Sequence, residues 1–183
     1  MGQLASIDPA WALDRKALTE GWPFRCDSTL NFERPELNEL RDLWCGLAAG
    51  RTAPTRADFD ARRLKPFLRN ITIIERIFLE ATHWRYRVRL AGSTITETIG
   101  NHTGLFLEEY VPAEAVPRWT MTYDTAIDGG QPLRLTAEFM IPRIDHLRGE
   151  AFVAPLADQD GRLTMVIGCI YFKPKAGTPL RAV

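Results

Sequence analysis

The chain has few cysteines, no long apolar run and no excess of either charge. Its three cysteines are far apart and odd in number, so they form neither a metal-ligand spacing nor a disulfide framework. No apolar run approaches the ~18 residues of a membrane span, and residues 1–25 lack the apolar core of a signal peptide. The 23 basic and 23 acidic side chains balance, which removes any general attraction for nucleic acid or anionic lipid. We therefore expect a cytoplasmic protein with neither a nucleic-acid nor a membrane partner.

Familiar catalytic motifs are also missing. The chain has no P-loop, nucleophile elbow, HExxH or dinucleotide-binding glycine motif. His102 lies in a polar loop, where a histidine most often bonds to the backbone, and Asp145-His146 is best explained as a turn because adjacent residues rarely form a catalytic pair. We expect no intrinsic catalysis and no metal site, and the residues identify no cofactor.

The stretch 84–104 organises the chain. Apolar and aromatic residues alternate in it with arginines, which is the period-two pattern of a strand with one core face and one wet face. The two sets are Trp84, Tyr86, Val88 and Leu90, and Arg85, Arg87 and Arg89. The arginines are interpreted as a solvated face paired with carboxylates such as Glu75, with an anion or partner site as the alternative.

This strand is followed by a short predicted helix. Gly92 breaks the strand, and Thr94 to Glu97 fits a capping box. Ile95 and Ile99 share one helix face, and Gly100 can take the left-handed conformation that ends a helix.

Three further helices are predicted at 9–19, 35–49 and 112–127, the last with Pro117 as an alternative start. Four further strands are predicted at 70–80, 133–139, 147–156 and 163–172. The strands at 70–80 and 163–172 are apolar on both parities and should be central, whereas 133–139 has one wet face and should be an edge. The fold class is α+β, with a five-stranded antiparallel sheet, helices on one face and an N-terminal helical extension.

Several short motifs in this order carry a family resemblance. They are Leu40-Arg41-Asp42-Leu43-Trp44, residues 54–66, Arg89-Leu90-Ala91-Gly92, Gly100 with Thr103-Gly104, Pro155-Leu156, and Gly161 with Gly168. Together they resemble the PAS domain, and more closely a bacterial, mainly alphaproteobacterial PAS-like family that is often nearly standalone. The resemblance covers roughly 37–172. It divides the chain into an N-terminal extension (1–36), a PAS-like domain (37–173) and a tail (174–183).

The resemblance implies a sensory or regulatory module whose sheet surrounds a pocket. A flavin photoreceptor of this class needs an Asn-Cys-Arg type motif, and haem-binding members commonly use a histidine on the long helix; this sequence has neither. A small apolar or aromatic ligand would then be held between the sheet and the helices. The predicted ligand-binding residues are Tyr86, Val88, Ile95, Ile99, Trp119, Tyr123, Leu135 and Phe152.

Other interpretations stay open. Tyr86, Trp119 and Tyr123 can equally be core filling, and their polar tips need partners if buried. The chain can also be a pure dimerisation or docking module without a ligand, working as a homodimer or with a protein signalling partner. A third alternative is a small cone-fold isomerase or hydrolase-like enzyme, in which His102 or Asp124 would be the acid or base.

Overall fold

The computed structural model describes residues 7–80, 83–139 and 143–175. The helices are α1 (Pro9–Glu20), α2 (Pro35–Ala48), α3 (Ala61–Leu64), α4 (Ser93–Ile99), α5 (Leu107–Tyr110) and α6 (Val116–Gly129). The strands are β1 (Phe24–Asp27), β2 (Ile71–Glu80), β3 (His83–Ala91), β4 (Leu133–Glu138), β5 (Leu147–Ala157) and β6 (Leu163–Pro174). Single 3-10 turns at Arg56–Asp58 and Ala113–Ala115 precede α3 and α6. Within these ranges, no helix combines the length and the apolar character needed to cross a membrane.

The strands form one sheet in the order β1-β4-β5-β6-β2-β3, and all neighbours are antiparallel. The α+β class and the antiparallel sheet are thus confirmed, but the sheet has six strands rather than the predicted five. The additional strand, β1, has only 4 residues, too few to show an alternating pattern in the sequence. It pairs with β4, which is therefore an interior strand and not the predicted edge.

Both faces of the sheet carry buried apolar side chains. Phe152 and Val153 are neighbours on β5 and enter separate hydrophobic clusters, because successive strand residues point in opposite directions. Val153 lies on the inner face, against α1 and α6, and Phe152 lies on the outer face, against α2 and α3. The prediction of helices on one face is therefore wrong. The predicted two-sided burial of β6 is confirmed, with Val166 on the inner and Ile167 on the outer face.

The strands β2 and β3 form an antiparallel hairpin. The pairing shifts by one residue at Arg89, because Val88 and Leu90 pair with consecutive residues of β2. Trp84, Tyr86 and Val88 face the inner cluster as predicted. Leu90 packs on the outer cluster instead, so the single shared face predicted for these residues is corrected for Leu90.

The helix boundaries follow local signals. Asp8 caps α1 by accepting the N–H of Ala10 at 2.9 Å, and a left-handed Gly21 ends the helix. Pro117 lies in the first turn of α6, which supports the later of the two predicted starts. The left-handed C-cap of α2 is Ala49, which the sequence placed inside the helix.

Gly92 fills the tight corner between β3 and α4. It is the N-cap of α4 and no side chain caps the helix, so the capping box predicted from Thr94 does not form. Gly100 is the C-cap of the helix as predicted, but its φ of 102° and ψ of 161° differ from the left-handed helical conformation expected for it. A Cβ on Gly92 would lie 2.2 Å from the carbonyl oxygen of Leu68 and 2.4 Å from that of Arg69. The corner therefore needs glycine because no space exists for a side chain.

A buried carboxylate anchors the N-terminal segment to the sheet. Glu150 on β5 is 3% exposed and accepts the backbone N–H groups of Glu33 at 3.0 Å and Arg34 at 3.1 Å. Arg134 lies 2.8 Å from Glu150 and also 2.9 Å from Asp27 of β1. The segment before α2 thus packs on the domain. The domain boundary at residue 37 stays a prediction.

Substitution of Gly92 by alanine tests the corner. We expect Gly92→Ala to lower the free energy of unfolding by about 2–3 kcal/mol, because the added methyl meets backbone atoms that cannot rotate away. Chemical denaturation monitored by circular dichroism measures the effect.

Gly46→Ala is the matched control. Gly46 lies within α2 with nothing within 4 Å of its would-be Cβ, so alanine there should raise stability by about 0.5–1 kcal/mol. Equal effects of the two substitutions would contradict the steric account of Gly92.

Candidate functional site

Three aromatic side chains form a layer between the inner face of the sheet and α6. Tyr86 comes from β3, and Trp119 and Tyr123 lie one turn apart on α6. The rings of Tyr86 and Tyr123 meet edge to face with centroids 5.1 Å apart, and Trp119 stacks on Tyr123 at 6.2 Å. Strand alternation and helical spacing together bring these residues into contact. We call Tyr86, Trp119 and Tyr123 the aromatic layer.

The other predicted ligand-binding residues are divided between three places. Val88 and Leu135 are buried in the same inner cluster as the aromatic layer. Phe152 is buried on the opposite face of the sheet, beneath α2. Ile95 is buried but belongs to neither cluster, and Ile99 is 36% exposed. The eight residues therefore do not line one space, and their role in ligand binding stays a prediction.

Burial makes the two tyrosine hydroxyl groups of the aromatic layer weaker acids than an exposed tyrosine. Desolvation raises the pKa of Tyr123 well above its ordinary value. Desolvation also raises the pKa of Tyr86, and the hydrogen bond from its hydroxyl to Asp124 adds to the effect. Both phenols are therefore neutral at physiological pH. Tyr123 keeps part of its surface accessible, and its hydroxyl has no hydrogen-bond partner among the described residues.

The polar centre of this region is the carboxylate of Asp124 on α6. Its Oδ1 atom accepts the hydroxyl of Tyr86 at 2.5 Å and the indole N–H of Trp84 at 3.0 Å. Arg76 approaches the same oxygen at 3.5 Å. The side chain of Asp124 is 25% exposed, and its Oδ2 has no protein donor among the described residues. Oδ1 thus accepts hydrogen bonds from the β2–β3 hairpin, while Oδ2 is accessible to solvent.

Arg76 on β2 completes the group, which we call the Asp124 cluster: Arg76, Trp84, Tyr86, Asp124 and Asp128. Its guanidinium lies 2.7 Å from Asp128 and over the rings of Phe78 and Trp84, at 5.5 and 5.3 Å from their centroids. Burial works to lower the pKa of Arg76, but the hydrogen bond to Asp128 and the nearby acidic groups raise it overall. The side chain is only 9% exposed and carries its charge inside the cluster.

The sequence pointed to only part of this cluster. Asp124 was named there as the acid or base of the enzyme alternative, and Arg76 was not singled out. The useful signal was that the polar tips of Tyr86 and Trp84 require partners once they face the core. An acidic residue beside Tyr123 on the facing helix is a natural acceptor, whereas the approach of Arg76 depends on tertiary packing.

Two surface depressions lie outside the aromatic layer. An open groove of about 670 Å³ runs along α6, and its lining is Pro9, Pro117, Thr120, Met121, Asp124, Thr125, Asp128 and Gly129. A smaller depression of about 300 Å³ lies near the end of the sheet beside Trp22, Glu33, Arg148 and Lys173. None of the eight predicted ligand-binding residues lines either depression.

The arginines of β3 are paired. Arg87 lies 3.0 Å and Arg89 3.7 Å from Glu75 on the adjacent strand, and Arg85 lies 3.2 Å from Glu108. The carboxylate partner predicted at Glu75 is thus present. Exposed pairs of this kind contribute about 0–1 kcal/mol each, so this face is a solvated, charge-paired strand surface.

The remaining chemical candidates have structural roles. His102 lies with its Nε2 2.9 Å from the carbonyl oxygen of Ile99, and its ring stacks on Tyr110. Asp145 and His146 are exposed and 3.9 Å apart. Among the residues that the structure describes, no group of three or more His, Cys, Asp or Glu side chains is arranged to hold a metal ion.

The two buried cysteines are unreactive. Desolvation raises the pKa of Cys26 and that of Cys169 to about 12, so both thiols stay protonated. Cys169 is the small buried hydrophobic side chain expected for a central strand.

Several solved structures resemble this chain. An RNA-binding light-oxygen-voltage receptor shares 16% identity over 64% of this chain, with a TM-score of 0.41, and the match covers 35% of that receptor, about a third of its length. A sensory box sensor histidine kinase from Vibrio cholerae shares 16% identity over 79% of this chain and 98% of its own, with a TM-score of 0.40. The light state of the photoreceptor domain Aureochrome1 LOV shares 18% identity over 61% of this chain and 86% of its own, with a TM-score of 0.38.

The sequence itself was compared with curated proteins and with family models. No curated protein matches significantly. A family model described as PAS domain matches residues 32–171, which is well over half of the chain. The chain therefore belongs to the PAS domain family.

Proposed function

We propose that this chain is a sensory or regulatory PAS module that binds a small ligand, a protein or both, and that catalyses no reaction of its own. Its place of action would be the cytoplasm. Membership of the PAS family supports the signal-sensing role. The finer assignment rests on the inner face of the sheet, where α6 covers the aromatic layer.

The observation that carries the ligand proposal is the state of Tyr123. Part of its surface is accessible, and its hydroxyl has no hydrogen-bond partner among the described residues. An accessible hydroxyl without a protein partner can donate to a molecule that supplies an acceptor. Trp119 and Tyr86 flank it with flat apolar surfaces. A small aromatic or apolar molecule with one hydrogen-bond acceptor suits this environment best.

The catalytic alternative has weaker support. Asp124 already accepts hydrogen bonds from Tyr86 and Trp84 through one oxygen, which holds the carboxylate in place. His102 contacts the backbone and the ring of Tyr110 rather than a second reactive group. We therefore retain binding as the function and leave the enzyme alternative aside.

The second candidate function is a docking module without a ligand, and α1 favours it. One face of α1 buries Ala10, Leu13 and Ala17 in the inner cluster. The other face presents Trp11 and Leu18, each more than half exposed, and Ile7 lies just before the helix and is equally open. The occupant proposed for this face is α1 of a second copy, since a two-fold axis brings the same apolar face of each chain together. The absence of net charge removes general repulsion between copies.

Native mass spectrometry of the purified protein, with its absorbance spectrum, tests the ligand proposal. We expect one small molecule per chain, released on denaturation. Leu135→Phe should reduce its occupancy roughly tenfold, because a phenyl ring is larger than the leucine side chain that it replaces in the inner cluster, and the additional volume costs about 1–3 kcal/mol of packing. Leu68→Phe is the control, since Leu68 is the same residue type, is 36% exposed and should leave occupancy unchanged.

A wild-type protein that carries no molecule, and gains no thermal stability from any compound in a library of small aromatic acceptors, contradicts the ligand proposal. The docking function would then be the one that remains.

Leu18→Glu tests the docking function. Leu18 on α1 and Leu79 at the end of β2 are the same residue type with nearly equal exposure, 53% and 52%. A glutamate at Leu18 should convert the dimer to a monomer in sedimentation velocity, because it places a charge within the proposed contact. Leu79→Glu should leave the dimer intact. A monomeric wild type, or a Leu18→Glu variant that stays dimeric, argues against α1 as the contact.

A further inference from the structure

We infer that Asp124 is a latch that ties α6 to the β2–β3 hairpin and transmits movements of α6 to the exposed end of that hairpin. The inference deepens the proposed function by naming how a binding event would be passed on, and it rests on that function for its signal. Its own content is structural and is tested separately.

The connection between α6 and the hairpin is concentrated on few atoms. α6 packs on α1 and on β5 and β6, the strands beneath it. Its hydrogen bonds to hairpin side chains, among the described residues, all end on Asp124 or Asp128. The donors come from both strands, Arg76 from β2 and Tyr86 from β3. Oδ1 of Asp124 therefore holds β3 against α6 through two short bonds, and the short bond of Arg76 from β2 goes to Asp128.

The hairpin carries this connection to the protein surface. Trp84 donates to Asp124 through its indole N–H, and its ring packs on Phe78 with centroids 5.9 Å apart. Phe78 and its neighbour Leu79 are 53% and 52% exposed at the end of β2. A displacement of Asp124 would thus move Trp84, and through it the exposed apolar surface at Phe78 that a partner can contact.

The carboxylate of Asp124 can be reached from the groove along α6, so a molecule bound there could break its bonds to the hairpin. Asp124 lines the groove along α6, and only its Oδ1 is occupied by hairpin donors. The second carboxylate of the cluster, Asp128, forms the shorter contact to Arg76 but none to Trp84 or Tyr86. Asp128 therefore bonds to β2 but not to β3, which makes it a matched control for the bonds from Trp84 and Tyr86.

Hydrogen exchange measured by mass spectrometry on the full chain tests the latch. In Asp124→Asn the side chain keeps its size but loses the charge that binds the two donors. We expect exchange in 76–80 and 83–88 to be roughly tenfold faster than in wild type, the ratio that corresponds to losing a hydrogen bond to a charged group. Exchange within β5 and β6 should be unchanged. Asp128→Asn should leave 83–88 at the wild-type rate, because Asp128 bonds to Arg76 of β2 and to neither Trp84 nor Tyr86.

The indole N–H signal of Trp84 in a nitrogen-15 NMR spectrum, identified by its loss in Trp84→Phe, provides a second readout. It should shift in Asp124→Asn and not in Asp128→Asn. If Asp124→Asn does not fold, Tyr86→Phe removes one of the two short bonds and should give a smaller change confined to the same segments.

Faster exchange spread evenly over all strands, or equal effects of the two asparagine variants, would overturn the latch. Such a result leaves ligand occupancy and dimer mass untouched, so it is distinguishable from failure of the proposed function.

Discussion

The structure depends on burying both faces of one antiparallel sheet. Side chains alternate along a strand, so each interior strand must supply apolar residues to two separate clusters. β6 does so with Val166 and Ile167, and β5 does so with Val153 and Phe152. This requirement explains why helices cover both faces and why the N-terminal segment is needed. Without α1, the inner cluster would lose Ala10, Leu13 and Ala17 from its cover.

Strong periodicity allowed most of the fold to be predicted from the sequence. The apolar strand at 163–172, the alternating strand at 84–90 and the proline-started helices all occur where the pattern places them. The failures have physical reasons. β1 is too short to alternate, and the extra residue at Arg89 reverses the direction of Leu90, which no period-two count reveals. Gly92 was recognised as a break, but the reason, contact with the backbone at Leu68, exists only in three dimensions.

The residues of the candidate site could be predicted from the sequence about as far as the fold could. Tyr86, Trp119 and Tyr123 came together because strand and helix periods both point them inward. Phe152 was placed with them although its parity puts it on the outer face, since the sequence does not show which face of β5 meets which helix. Buried charge is harder still. Glu150 and Arg134 form an ion pair that only the sheet register brings together, and nothing local in either strand signals it.

The two ways in which α6 is held differ in how they respond to movement. Its apolar contacts with β5 and β6 are non-directional, so a small slide changes the buried area and the free energy only gradually. The bonds from Tyr86 and Trp84 to Asp124 are short and directional, and they weaken steeply when distance or angle changes. A helix that is held by non-directional contacts along its length and by directional hydrogen bonds at one carboxylate can pivot about that carboxylate. Two packings of α6 would therefore differ most at the hairpin, where Arg76, Trp84 and Tyr86 must either follow Asp124 or exchange it for water.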